Sequence, residues 1–157
     1  MVAIDKPAYL TNKGKTELGQ ELMFLQTVKR LEIIDRLQDA RGGGDWMDST
    51  EHMLIEEELA FVDGRIRELN YMLYHAQIIE PDNENNIVDV GETVVIETSD
   101  GELEEYTIIG VAEADPGNGL ISNESPLGQA LLNHKVGEEV VVQAPVGELR
   151  YRIVAVR

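Results

Sequence analysis

From residue 55 to residue 76 the apolar side chains Ile55, Leu59, Val62, Ile66, Leu69, Leu73 and Ala76 alternate spacings of four and three. This is an a/d seam of about three heptads, and it predicts a helix over residues 49–77. A second helical stretch lies just upstream. Leu18, Leu22, Leu25, Val28, Leu31, Ile34 and Leu37 recur at three and four, which predicts a helix over 12–42 with Thr11 as its N-cap. Gly42, Gly43 and Gly44 interrupt the pattern, and glycine readily takes the left-handed conformation that closes a helix. Two helices joined so briefly pack most economically as an antiparallel coiled coil. At 1.5 Å per residue, ~30 residues make a rod of roughly 45 Å.

The pattern breaks at Glu80-Pro81-Asp82-Asn83-Glu84-Asn85-Asn86, a polar stretch with proline, and the period then changes to two. Residues 93–98 and 106–111 flank Asp100-Gly101, a strong hairpin signal. Ser125-Pro126 opens a short helix through Leu132, with proline in the first turn. Residues 140–144 and 149–156 form a closing hairpin around Pro145-Val146-Gly147. The fold class is therefore α+β, with a coiled coil over 1–79 and a small β-rich domain with one helix over 80–157.

Charge excludes some functions. The formal net charge is −17, split as nine basic and 14 acidic side chains in residues 1–79 and four and 16 in residues 80–157. Such a chain is unsuited to duplex nucleic acid, which demands a Lys/Arg surface, and to an anionic membrane. The acidic second half suits a protein surface instead. Without cysteine there is no thiolate metal site or disulfide. The start, Met1-Val2-Ala3-Ile4-Asp5-Lys6-Pro7, lacks the apolar run of a signal peptide, and no segment approaches ~18 apolar residues. The expectation is a soluble, cytoplasmic monomer.

Chemistry is concentrated between the helices, at Asp45-Trp46-Met47-Asp48. Asp48 also fits a capping box with Glu51, so it can cap the second helix and contact a metal with its other oxygen. Asp45 follows a helix C-terminus, where the dipole disfavours negative charge by ~0.3–1 kcal/mol. Two carboxylates with no His or Cys nearby suit a hard cation such as Mg²⁺. They are too few to hold it alone, so the remaining ligands must come from another macromolecule. Trp46 and Met47 suit burial against a partner. His52 continues the seam backwards and reads as a packing residue. His75 and His134 are isolated, and Glu56-Glu57-Glu58 reads as a solvated helix face.

Several motifs, in order, resemble the bacterial transcript-cleavage factors of the GreA/GreB family over nearly the whole chain. They are Leu10-Thr11-x-x-Gly14 with Glu21-Leu22-x-x-Leu25, Ala40-Arg41-x-x-Gly44-Asp45 with Glu51, and Phe61-x-x-Gly64-Arg65-Ile66. Ala76-Gln77-Ile78-Ile79, Ile121-Ser122-x-x-Ser125-Pro126-Leu127, Ala130-Leu131-Leu132 and Gly137-Glu138 complete the set. The resemblance implies an FKBP-like second domain that docks at the rim of RNA polymerase's secondary channel while the coiled coil enters it. It implies that Asp45 and Asp48 help hold a second Mg²⁺, shared with polymerase and not stably bound by the factor alone. Polymerase, not the factor, then hydrolyses the RNA of a backtracked complex. Glu124, Ser125 and Pro126 fall on the loop that contacts the rim, and Lys29 and Arg30 on a basic patch that meets the RNA 3′ segment. The chain departs from the family's Asp-x-x-Glu-Asn at Asp48 and Ser49, and carries Glu56 where a basic residue is usual. These changes weaken metal positioning and RNA contact, so the alternative is a channel-binding modulator with weak or no cleavage. A prolyl isomerase, suggested by the FKBP likeness alone, needs an aromatic-lined pocket, and the second half offers only Tyr106 and Tyr151.

Overall fold

The structure is a computed structural model, and it describes residues 6–42, 50–80 and 85–157. The elements in chain order are β1 (Ala8–Leu10), α1 (Asn12–Phe24), a π-helical turn (Leu25–Lys29), α2 (Arg30–Arg41), α3 (Thr50–Tyr74) and β2 (Ala76–Ile78). Then follow β3 (Thr93–Thr98), β4 (Leu103–Ile109), 3₁₀ turns at Val111–Glu113 and Pro116–Asn118, β5 (Leu120–Ser122), α4 (Pro126–Leu131), β6 (Glu139–Ala144) and β7 (Gly147–Val156). Contacts divide the chain into two units: Lys15–His75, and the residues up to Gly14 together with Ala76–Arg157.

The first unit is the expected antiparallel helical hairpin. Its direction follows from the ion pairs between helices, which join Glu21 to Arg65, Arg30 to Asp63 and Arg36 to Glu58, so that numbers rise on one helix as they fall on the other. Its core is Ile33, Leu37, Ile55 and Val62, with Leu25, Ala40, Leu59 and Ile66 packed around them.

The expected apolar face of the first helix holds at Leu25 and Leu37 but fails between them. Val28 and Leu31 are exposed, at 41% and 54%, whereas Ile33 is fully buried. The π turn is the reason. Arg30 N–H donates to Leu25 O across five residues, so the helix carries one residue more than an α-helix would. That residue turns the downstream face back by about 100°. Ile33, Leu37 and Ala40 then line up with Leu25, and the simple three-and-four count runs off the seam.

The second unit is built on a curled five-stranded sheet in the order β5-β4-β3-β7-β6. Pairing is antiparallel except between β4 and β5, so the sheet is mixed. Val88, Val94, Ile96, Ile108, Ile121, Leu131, Val140 and Ile153 form its core, and α4 contributes Leu127, Leu131 and Ala130 to it. Both expected hairpins are present. Gly101 takes φ +83 in the first turn, and Pro145-Val146 connects β6 to β7 in the second.

The expected division at 79/80 does not coincide with the spatial one. β1 pairs in parallel with β2, Ala8 opposite Ala76 and Leu10 opposite Ile78, and this draws the start of the chain into the sheet unit. Ala76 is therefore a strand residue and not the last position of the helical seam. The join is strengthened by Glu113, whose carboxylate accepts from Thr11 N–H at 2.8 Å and Thr11 Oγ at 2.6 Å. Thr11 caps α1 as expected, its Oγ accepting from Gly14 N–H at 2.9 Å. Gly14 leaves room for this carboxylate, since a Cβ here would push the Glu113 carboxyl off its place. A carboxylate at a helix N-terminus also meets the positive end of the dipole.

Candidate functional site

Three groups of residues are candidates. The first is the connection between α2 and α3. The helix α2 ends at Arg41 with Gly42 as C-cap, and Gly42 N–H donates to the carbonyls of Gln38 and Asp39 at 3.2 Å. Gly42 has φ −71 and ψ −14, still right-handed, and Gly43 and Gly44 of the expected glycine terminator lie outside the described residues. The next described residue is Thr50, the first of α3. Asp45, Trp46, Met47 and Asp48 lie outside the described residues, as do Pro81, Asp82, Asn83 and Glu84 of the expected linker. Both flanking helices are nevertheless placed, and antiparallel. His52 is buried on the seam, with Nε2 3.2 Å from Glu56.

The second group is the basic pair. Lys29 and Arg30 sit at the end of the π turn, on either side of the unit boundary between π and α geometry, and each already faces an acid of α3. Lys29 Nζ lies 3.0 Å from Glu58 and Arg30 Nε 2.7 Å from Asp63. Glu58 is shared, because Arg36 Nη2 also donates to it at 2.6 Å. Further along, Arg65 binds both oxygens of Glu21, at 2.7 and 2.9 Å, and reaches Glu68 at 2.9 Å. Sequence reasoning missed these partners, and it read Glu58 as part of a solvated acidic face. Their signal was the flanking position beside the seam, where coiled coils place charge pairs between helices.

These pairs carry a pH dependence. Arg36, then Lys29, holds Glu58 below its ordinary carboxylate value, and Arg65 does the same for Glu21. A folded-state pKa depressed in this way stabilises the hairpin fully above the unfolded value and is lost as pH falls through the folded one. Circular dichroism melts should therefore show the hairpin's midpoint falling on acidification through the carboxylate range. In Glu58→Gln that fall should be shallower, because one of the titrating contributors is gone. An unchanged slope in the variant would remove Glu58 from the account.

The third group is the loop before α4. Ser125 is the N-cap of α4, with Oγ accepting from Gly128 N–H at 3.0 Å and donating to Ser122 O at 2.6 Å. Glu124 N–H donates to Ser122 Oγ at 3.0 Å, and Pro126 occupies the first helical turn. A Cβ on Gly128 would strike Ser122 O, so the loop closes only over glycine. The result is a fixed turn that exposes Glu124 and Pro126 and commits the Ser125 hydroxyl inward. Glu124 also pairs with Lys6 at 3.5 Å, both exposed. Ser125→Ala should therefore act through stability, costing about 1 kcal/mol by denaturant titration. A change in partner binding with stability intact would instead give the hydroxyl a direct contact.

Tyr106 and Tyr151 pack against the sheet core, and Tyr106 OH donates to Glu104 at 2.9 Å. Burial and then Glu104 push the Tyr106 phenol up. Both rings are spent on the core, which counts against an aromatic-lined isomerase pocket. Among the described residues no group of three or more His, Cys, Asp or Glu could hold a metal ion. No described helix is long and apolar enough to cross a membrane.

Comparison with known proteins places this arrangement. The model described as "Transcription elongation factor, N-terminal" matches residues 8–78, and "Transcription elongation factor, GreA/GreB, C-term" matches residues 83–157. Together they define the class, transcription elongation factors. Within it, the chain belongs to the GreA/GreB family. It is 48% identical to transcription elongation factor GreA of Geobacillus kaustophilus over 99% of this chain and 100% of that one. It is 49% identical to GreA of Bacillus velezensis, with 99% of each chain covered. Among solved structures, the transcription factor Gfh1 is 28% identical, with 98% of this chain and 99% of that one covered and a TM-score of 0.48.

Proposed function

We propose that this chain enters the secondary channel of bacterial RNA polymerase and stimulates polymerase's own cleavage of backtracked RNA. The observation that carries the reading is the placement of Asp45 and Asp48 in the connection between two antiparallel helices, in a chain matched by GreA/GreB models in both halves. The donor set fits a shared Mg²⁺: two carboxylates, hard oxygen ligands, without the third protein ligand that a self-sufficient site would need. Asp45 and Asp48 would hold it from the factor's side, and the ion would supply activation of water and charge neutralisation for hydrolysis. Glu124 and Pro126 are presented for docking at the channel rim, on a turn that Ser125 fixes. Lys29 and Arg30 meet the RNA 3′ segment, and for this their contacts with Glu58 and Asp63 must be shared or exchanged with phosphate oxygens.

A second reading is favoured by one observation, the Asp48-Ser49 departure from the family's Glu-Asn. In it the chain occupies the channel and modulates synthesis with little cleavage. The two separate in an assay on a purified backtracked elongation complex, following both transcript shortening and nucleotide addition. Shortening that depends on the factor supports the first. Slowed addition without shortening supports the second.

A further inference from the structure

Where α2 ends and α3 begins, the hairpin carries a groove of about 800 Å³ between the two helices. Ala40, Leu54 and Ile55 give it an apolar lining, and Leu54 is 59% exposed. Among the described residues its charged lining is Arg36, Asp39, Glu51 and Glu58, formally −2. Arg36 and Glu58 are joined at 2.6 Å, and Lys29 adds a second cation to the same carboxylate. Asp39 and Glu51 have no ion pair among the described residues, so the groove's unbalanced charge is theirs.

Three ligand chemistries can be weighed against this lining. Phosphate is repelled by the net charge. A small divalent ion finds no cluster of three ligands among the described residues. A long cationic side chain suits both features, because lysine and arginine lay an apolar stem along hydrophobic surface while the charged head finds carboxylates. A chain with a net charge of −17 also selects a basic counterpart at the surfaces it meets.

We propose that this groove receives a lysine or arginine side chain of RNA polymerase, its stem against Leu54 and Ile55 and its charge against Asp39 and Glu51. The proposal rests on the polymerase reading above and gives the hairpin a docking contact of its own, separate from the Glu124–Pro126 loop. It also assigns a use to an exposed leucine that the helical packing leaves uncovered.

The test is equilibrium binding of the full-length chain to purified bacterial core RNA polymerase, at low and at physiological salt. The double variant Asp39→Asn, Glu51→Gln should bind about tenfold more weakly at low salt, and its affinity should depend less on salt than the wild type's. Leu54→Ala should weaken binding about fivefold with the salt dependence unchanged, since it removes only the apolar contact. Leu54 is exposed, so this variant keeps its fold, which a thermal melt checks. If the wild type binds and all variants match it at both salts, the groove is not a docking site. If the wild type itself does not bind polymerase, the polymerase reading falls and takes this occupant with it.

Discussion

Asp45→Asn combined with Asp48→Asn should leave a chain that folds and binds polymerase as the wild type does, but stimulates cleavage at least ~100-fold less. Each substitution keeps an oxygen of the same reach and removes a unit of negative charge. A neutral amide oxygen is a poor ligand for Mg²⁺, and losses of ligand or supporting contact typically cost 10–100-fold in affinity or activity. On the proposed function Asp45→Asn alone should account for most of the loss, because the sequence also suits Asp48 to capping the second helix, a role Asn keeps. The reverse experiment is equally sharp. Asp48→Glu restores the side-chain length of the family's tip motif, and it should raise the cleavage rate severalfold if reach is what limits this chain. Transcript shortening on a stalled, backtracked complex reads both. A wild type that never shortens the RNA, while still blocking nucleotide addition, would sink the cleavage reading and leave the modulator.

Which parts of this molecule could be read from its sequence follows from how local each determinant is. The α3 seam was legible because a 25-residue helix repeats its instruction at Ile55, Val62 and Leu69, all of them buried. The hairpin turn at Gly101 and the Ser125 cap were legible because turn and cap chemistry is decided within four residues. The β1–β2 pair was not. Three residues are too short to show a period, and their partner lies 68 positions away in register. Glu113 was invisible for the same reason, since it caps a helix 102 residues upstream. Among the candidate functional residues, Lys29 and Arg30 were legible as a basic pair, but not their engagement by Asp63 and Glu58. That engagement depends on which face of the first helix meets α3, and the π turn sets that face.

The π turn also decides which length changes this hairpin tolerates. Inserting one alanine between Leu31 and Glu32, beyond the turn, should rotate everything downstream by about 100°. Ile33 and Leu37 would leave the seam, Glu32 and Arg36 would take their places, and Arg36 would leave Glu58. Exposing two buried aliphatic side chains costs about 3–6 kcal/mol. The helix can recover part of this by taking up the extra residue in a second π turn, so the expected net loss is roughly 2–4 kcal/mol. Deleting Thr27 is the contrast. It removes the residue that the π turn accommodates, so Leu25–Lys29 can close as ordinary α-helix while Ile33 falls seven residues after Leu25 and stays on the seam. Thr27 is exposed and its Oγ only donates back to Met23 O at 2.7 Å, so the deletion should change stability by less than ~1 kcal/mol. Chemical denaturation of both variants gives the comparison. The insertion should also cut cleavage stimulation well beyond what its remaining folded fraction explains, because the connection that carries Asp45 and Asp48 would then leave α2 at a different rotation. A deletion as destabilising as the insertion would mean that the extra residue is not held in the π turn.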